Sequence, residues 1–396
     1  MDTIDTENRF GITFCDRLEI AFTHGEGSRV WDEQGKVYLD FTSGWGVTCL
    51  GHSHPAITRA ITEQAQRIIQ SPNAGFTYSP SRAALLAKMK AFLPANLSNT
   101  YFCNSGAEAN DAALKLARKI TGRRKVISTL GGFHGRTFNT LSVTRNRENS
   151  GRYTPPQQDT VFVSFGCLES MVNAIDEKTA AVIVEPIQGE GGVQIPSDNY
   201  LHEIKTLCHA NEALLIVDEI QTGFCRTGKF FALEYSPLPV EPDFLTMGKG
   251  IAGGYPFAAF SVSATVNERI EKDDHGGTYC GNPLGCAISN AVIDVLTSEQ
   301  VAEKVIQNGN YLISCLEELQ ATFPDFIKYV RGKGLLCALE FHDQSLPRPL
   351  TRNCAEKGLL VVPTRNGIIR LLPDLLVTRD NIDKAINVLS EVLASH

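Results

Sequence analysis

Apolar positions along the chain follow two rhythms, and the alternation between them predicts its architecture. After Pro55, the residues Ile57, Ala60, Ile61, Ala65 and Ile68 share one face of a 3.6-residue period and predict a helix. Ser79-Pro80 opens another, carrying Leu85, Met89 and Phe92; Pro80 suits the first helical turn, where a missing N–H costs no bond. Short apolar runs without polar alternation then predict strands covered on both faces, at residues 125–129, 161–164, 181–185, 214–218, 244–247 and 257–262. Helical stretches such as 198–211 fall between them, which predicts a mainly parallel sheet with helices on both sides. A long helix at 283–297 ends this rhythm, and short strands (335–341, 359–362, 368–371) then mix with helices (301–323, 379–395). The chain up to Phe41 reads as extended, with Arg29-Val30-Trp31 and the 36–41 run flanking the turn Asp32-Glu33-Gln34-Gly35. The expected organisation is α/β: a large domain over 55–300, and a smaller α+β domain assembled from 1–54 and 301–396.

Composition narrows the class of function. The 396 residues are 43% hydrophobic and 20% charged, ordinary for a soluble globular chain. A net charge of −7 without a Lys/Arg cluster argues against sequence-independent nucleic-acid binding. The start, Met1-Asp2-Thr3-Ile4-Asp5-Thr6-Glu7, resembles neither a secretory signal nor an Arg-rich transit peptide, and no apolar run is long enough to cross a membrane. Eleven scattered cysteines, from Cys15 to Cys354, contain no Cys-x-x-Cys pair and read as reduced thiols. The expected location is the cytoplasm, with neither nucleic acid nor membrane as partner.

Several segments carry candidate chemistry. The strand at 214–218 ends in Asp218-Glu219, which alone also fits the metal-binding strand of a P-loop ATPase. That reading needs a phosphate-binding loop. The only nearby candidate, Gly248-Lys249-Gly250, has Asp243 where the first glycine belongs, and Gly250 follows the lysine. Gly248-Lys249-Gly250-Ile251-Ala252-Gly253 also matches a dinucleotide fingerprint, with Asp273 near the distance of a ribose-binding acid. The helix this requires would be broken at once by Gly253-Gly254-Tyr255-Pro256. Lys249 is more telling: flanking glycines permit a tight turn and leave the amine room to approach a ligand, although a lone lysine is usually a solvated one. Asp218 and Lys249 each follow a strand, so two neighbouring strands can bring an acid and an amine to opposite ends of one flat cofactor.

Ser105-Gly106-Ala107-Glu108 opens a helix with a capping-box pattern, which explains those residues as fully as a phosphate on the helix N-terminus does. Phe133-His134-Gly135-Arg136-Thr137 offers an aromatic platform and a carboxylate-binding arginine, or equally a core aromatic and a surface charge. His52-x-His54 has no companion ligands at metal-site spacing, so no metal is expected.

Taken in order, these segments resemble the class III aminotransferases, pyridoxal-phosphate enzymes of fold type I that include acetylornithine, ornithine and 4-aminobutyrate aminotransferases. The motifs are Ser105-Gly106-Ala107-Glu108-Ala109-Asn110, Phe133-His134-Gly135-Arg136-Thr137, Glu185-Pro186-Ile187-Gln188-Gly189-Glu190-Gly191-Gly192, Asp218-Glu219-Ile220-Gln221-Thr222-Gly223, Gly248-Lys249-Gly250, His275-Gly276-Gly277-Thr278, Gly281-Asn282-Pro283-Leu284, and a late Arg370. The resemblance implies that Lys249 forms the Schiff base with pyridoxal 5'-phosphate and that Asp218 pairs with the pyridine nitrogen. It implies Gln221 near the ring hydroxyl, Phe133 stacked on the ring, and Ser105, Gly106 and Ala107 at the phosphate. Thr278 is expected to reach the phosphate of a partner subunit, because the family shares its active site across a homodimer, and Gly277 beside it is expected to contact the substrate. Arg370 is expected to take the α-carboxylate of glutamate or 2-oxoglutarate, Glu185 to cover Arg370 when an ω-amine donor is bound, and Arg136 to hold the donor's distal carboxylate. The acetylornithine and ornithine branch fits best. A 4-aminobutyrate, diamine or other ω-amine donor stays open because Trp45 stands where that branch has a small aliphatic residue or a tyrosine. Cys225 and Cys280 replace usual glycines. A binding protein without catalysis would have little reason to keep Lys249.

Overall fold

The computed structural model describes residues 2–72, 74–144, 159–364 and 366–396. Strands β1 (Phe22–Glu26), β2 (Arg29–Asp32) and β3 (Val37–Asp40) form an antiparallel meander. Asp32 shapes the expected turn, its Oδ1 accepting from the N–H groups of Gln34 and Lys36 at 3.0 and 2.9 Å. The extended reading of the first residues fails. Thr3–Phe10 is a helix, capped by Asp2, whose Oδ1 accepts from the Asp5 N–H at 2.7 Å. None of its residues is buried, so no apolar stripe announces it.

Strands β4 (Leu97–Cys103), β5 (Lys125–Thr129), β6 (Thr160–Val163), β7 (Thr179–Val184), β8 (Leu214–Asp218), β9 (Phe244–Met247) and β10 (Ala258–Ser263) build a seven-stranded sheet in the order β4-β10-β9-β8-β7-β5-β6. From β6 to β9 every pairing is parallel; β10 runs antiparallel to both its neighbours. The unbroken apolar runs are explained by burial on two sides. Val182, Val184, Leu215 and Val217 enter one hydrophobic core, while Ala181, Ile183 and Ile216 enter another with the helix Gly106–Thr121. Nothing in the apolar pattern predicts β4. It is an edge strand, and its exposed Ser98 and Asn99 interrupt the run.

The last strands are β11 (Ile327–Lys333), β12 (Leu336–Phe341), β13 (Leu359–Leu360), β14 (Val362–Thr364) and β15 (Ile368–Leu371). Four form the sheet β11-β12-β15-β14, and β13 pairs in parallel with β3, so the two ends of the chain share one sheet. The unexpected β11 is again a half-exposed edge. One core continues from Phe41 and Leu50 through Val217 and Ile251 to Leu339 and Leu371. The helix Pro55–Ala65 forms as its period predicts, yet of its apolar face only Ile57 is buried, and Ile61 and Ile68 are exposed. No helix among the described residues is long and apolar enough to cross a membrane.

Candidate active site

Five parallel strand ends open on one edge of the large sheet. β4 leads into Ser105, β5 into the loop of Phe133, β7 into Glu185, β8 ends at Asp218, and β9 stops two residues before Lys249. Open α/β sheets gather ligands outside such carboxyl ends. Asp218 is in register with Thr246 of the adjacent β9, so the acid and the amine leave neighbouring strands on the same edge.

Asp218 is almost fully buried and held on both oxygens. Its Oδ2 accepts from Asn110 Nδ2 and contacts His134 Nδ1, both at 2.7 Å, and its Oδ1 accepts from the Ile220 N–H at 3.0 Å. Asn110 is itself fixed, donating to the His134 carbonyl and accepting from the Thr246 hydroxyl at 2.7 Å. Burial works against a charged His134 ring, but the hydrogen bond and charge of Asp218, with Glu185 nearby, push its pKa above the ordinary value. Asn110, His134 and Thr246 had no separate role in the sequence reading. The readable signal was a polar residue on the buried, alanine-rich face of the helix Gly106–Thr121.

Lys249 begins a single 3₁₀ turn, Lys249–Ala252, that Gly253 ends in the left-handed region, so no long helix follows it and the dinucleotide reading lacks its element. Lys249 itself has φ +46° and makes no ion pair among the described residues. Burial lowers its ammonium pKa, opposed by Glu190 and reinforced by Arg370. Against this turn lies the start of the helix Gly106–Thr121. A Cβ on Gly106 would meet Ile220 Cδ1 at 2.7 Å, and one on Gly135 would meet Ala107 Cβ at 2.7 Å. Ser105 caps the helix through the Glu108 N–H at 3.2 Å. The return arm of the capping box reaches the N–H of Asn104 instead of Ser105, at 2.9 Å. The N–H groups of Gly106 and Ala107 have no acceptor among the described residues.

At the other end of the site Arg370, on β15, is wholly buried. Its Nη2 donates to Glu190 Oε1 at 2.6 Å and its Nη1 to Gln221 Oε1 at 3.0 Å. Glu185, expected to cover Arg370 when an ω-amine donor is bound, does not touch it in this structure; the carboxylate on Arg370 is that of Glu190. Glu185 instead accepts from the N–H groups of Phe133 at 3.0 Å and Gly189 at 3.2 Å, tying two loops together. Both acids lie in one loop that folds back through a bridge between Gln188 and Gln194, which linear spacing cannot foresee. Burial raises the Glu185 carboxyl to about 7. For Glu190 burial also acts upward, but Arg370, Lys249 and Arg136 outweigh it and hold the carboxylate below its usual range.

The remaining expected residues lie around these. Arg136 is exposed, its guanidinium 5.9 Å from the centre of the half-buried Phe133 ring. Gln221 contacts Arg370 and, through Nε2 at 3.4 Å, the Trp45 carbonyl. Trp45 is 56% exposed on a turn whose residues Ser43 to Gly46 all have positive φ. For Ser43 and Trp45 that conformation costs on the order of 1–2 kcal/mol each. Gly277 packs at the helix start, 3.5 Å from Glu108 Oε1 if given a Cβ, where the Cys280 thiol donates to the same oxygen at 3.4 Å. Thr278 is exposed, its carbonyl accepting from Gln70 Nε2 at 2.7 Å. Cys225 is buried with φ +66°. No cluster of His, Cys, Asp and Glu able to hold a metal occurs among the described residues.

A cofactor with a phosphate at one end and a basic ring nitrogen at the other fits this donor set. Among the described residues two helix N–H groups lack acceptors and the Lys249 amine makes no ion pair, small residues let neighbouring loops approach the helix start closely, and a buried carboxylate and that amine leave adjacent strands. The model of the family Aminotransferase class-III matches residues 15–393. The chain is 38% identical to an acetylornithine aminotransferase of Methanothermobacter thermautotrophicus, over 99% of this chain and 98% of the relative. It is 37% identical to a LysW-aminoadipate semialdehyde transaminase of Deinococcus radiodurans, covering 98% of this chain and 89% of the relative. The ornithine aminotransferase structure from Toxoplasma gondii superposes with a TM-score of 0.92 at 30% identity, covering 99% of this chain and 94% of that one. The chain thus belongs to the class III aminotransferases, and it is a pyridoxal-phosphate-dependent transaminase of fold type I.

Proposed function

We propose that the chain moves the ω-amino group of an amino acid, of the N-acetylornithine or ornithine kind, to 2-oxoglutarate, giving a semialdehyde and glutamate by ping-pong turnover. One observation carries this reading: a fully buried arginine, Arg370, is neutralised by an acid on a loop, Glu190, and not by a strand neighbour. A loop acid can withdraw for a substrate carboxylate, which a guanidinium binds in two-pronged fashion. Arg136, close enough to act on Glu190, supplies a second cation for the far end of a dicarboxylate or an acylated amino acid.

The residues divide the work as follows. Gly106 and Ala107, with Ser105, hold the phosphate through backbone N–H groups; Phe133 covers the ring, and Gln221 lies at its hydroxyl edge. Asp218, oriented by Asn110 and His134, would hold a proton on the ring nitrogen. Pyridoxal phosphate supplies the sink for the electrons of the donor's broken C–H bond. Lys249, its ammonium disfavoured by burial, would act as the general base that takes the proton from the donor carbon and returns it to the cofactor carbon. Glu190 covers Arg370 while the ω-amine donor is bound and releases it to 2-oxoglutarate. The site is completed by a second copy whose Thr278 reaches the phosphate. Exposed Phe76, Tyr78 and Tyr279 favour such an apolar contact.

Trp45 supports a second reading, a 4-aminobutyrate, diamine or other ω-amine donor, because its large exposed ring reshapes any wall it forms. Initial rates with 2-oxoglutarate and a panel of N-acetylornithine, ornithine, 4-aminobutyrate and putrescine decide between them. The first reading requires the highest kcat/KM with N-acetylornithine or ornithine. Preference for putrescine would replace it with the second.

A further inference from the structure

The Trp45 turn is fastened at both ends and tethered once in the middle. At its entrance Asp40 Oδ1 accepts from the Thr42 hydroxyl, the Thr42 N–H and the Ser43 N–H at 2.6, 2.8 and 3.1 Å, while Asp40 Oδ2 meets His52 Nε2 at 2.8 Å. At its exit the Thr48 N–H donates to the Ser43 carbonyl at 3.0 Å. Between these the Trp45 carbonyl accepts from Gln221 Nε2, and the other end of that amide accepts from Arg370 Nη1. A guanidinium only donates and a carbonyl only accepts, so one orientation of the amide serves both bonds. Position 189 must lack a side chain for this bridge to exist, because a Cβ there would fall 1.6 Å from Gln221 Oε1.

We propose that Gln221 is a positioning residue that couples the occupancy of Arg370 to the Trp45 wall, so that a carboxylate on the clamp moves the turn. This deepens the function proposed above and rests on Arg370 being the carboxylate clamp. A carboxylate that displaces Glu190 takes Nη2, and its second oxygen competes with Gln221 for Nη1. The amide then yields one of its two bonds. The Trp45 carbonyl loses its tether or is drawn with it, and a left-handed turn in which Ser43 and Trp45 are disfavoured has a reason to shift. The pocket seen by the amino donor and the pocket seen by the keto acid would then differ at Trp45, although both use one site.

Trp31 and Trp45 are the two tryptophans, so Trp31→Phe leaves Trp45 as the sole reporter. Glutarate, a dicarboxylate with neither amino nor keto group, is titrated into this holoenzyme while emission is read, and its inhibition against 2-oxoglutarate is measured in parallel. The expected result is a saturable emission change whose midpoint follows the inhibition constant. In Gln221→Met, which keeps length but loses both bonds, glutarate still inhibits, within about tenfold of the parent constant, the scale of one hydrogen bond, and Trp45 no longer responds. Should that variant fail to fold, Gln221→Glu turns an acceptor toward the Trp45 carbonyl and is expected to give an emission already shifted and unresponsive. A glutarate response equal to the parent's in either variant would overturn the coupling. Inhibition without any Trp45 response in the parent would overturn it while leaving the clamp intact. No inhibition at all would sink the clamp and the coupling together.

Discussion

The two ends of the site are built on opposite plans. At the cofactor end, Asp218 is locked by Asn110, His134 and a backbone N–H, and Asn110 is locked in turn by Thr246. These bonds join the helix Gly106–Thr121 and the ends of β8 and β9 with two loop segments that follow strands of the sheet. At the end proposed for the substrate, Arg370 is held by two loop side chains, Glu190 and Gln221, and the turn tied to Gln221 is strained. Fixed partners suit a group that stays bound, and exchangeable partners suit ligands that must alternate. The contrast predicts that damage at the first end lowers turnover for every donor, whereas damage at the second redistributes preference.

The largest effect should come from Lys249→Ala, which removes the proton-carrying amine. Transamination should fall by at least about 10²–10⁴-fold for all donors, measured as steady-state rates, and a fully active variant would remove the lysine from the chemistry. Asp218→Asn follows. Breaking a buried ionic pair costs about 3–5 kcal/mol, so kcat should drop roughly 10²- to 5×10³-fold across the panel; a donor-selective drop would erase the contrast between the ends. Third, Glu190→Gln should lower the KM for 2-oxoglutarate about tenfold, the scale of one charge-assisted bond, and weaken selection for ω-amine donors. Glu185→Gln should leave both much less affected. If the two variants exchanged phenotypes in that assay, Glu185 would regain the role the geometry takes from it.

The smallest effect is one of pH. Burial raises the Glu185 carboxyl from 4.5 to about 7, so the folded chain keeps a proton that the unfolded chain gives up between those values. Its stabilising contribution is complete below about 4.5 and fades as pH rises through about 7. The His134 ring, also raised, acts in the same direction. Thermal midpoints should therefore decline from about pH 5 to pH 8. Glu185→Gln should flatten that decline, by at most about 1.4 kcal/mol per pH unit. An unchanged slope would place the titrating group elsewhere.

Legibility in the sequence divided along the same line. Strand ends are local features, so apolar runs placed the ends of β8 and β9 and brought Asp218 and Lys249 to one edge. The edge strands β4 and β11, whose outer residues meet water, and the helix Thr3–Phe10, which buries nothing, lack the apolar signal that such reading depends on. Choosing between Glu185 and Glu190 needed the path of a folded-back loop, and no periodicity encodes that path. Asn110 and Thr246 were within reach, since a polar residue amid buried alanines, or in an apolar strand, demands a partner.

The missing side chain at position 189 has a practical consequence for anyone wishing to widen the donor range. A randomised library that spends codons there would mostly sample proteins whose amide bridge has been evicted, since even alanine's methyl would collide with Gln221. Diversity is better invested at Trp45 and Arg136, whose exposed side chains can change size without displacing a buried neighbour.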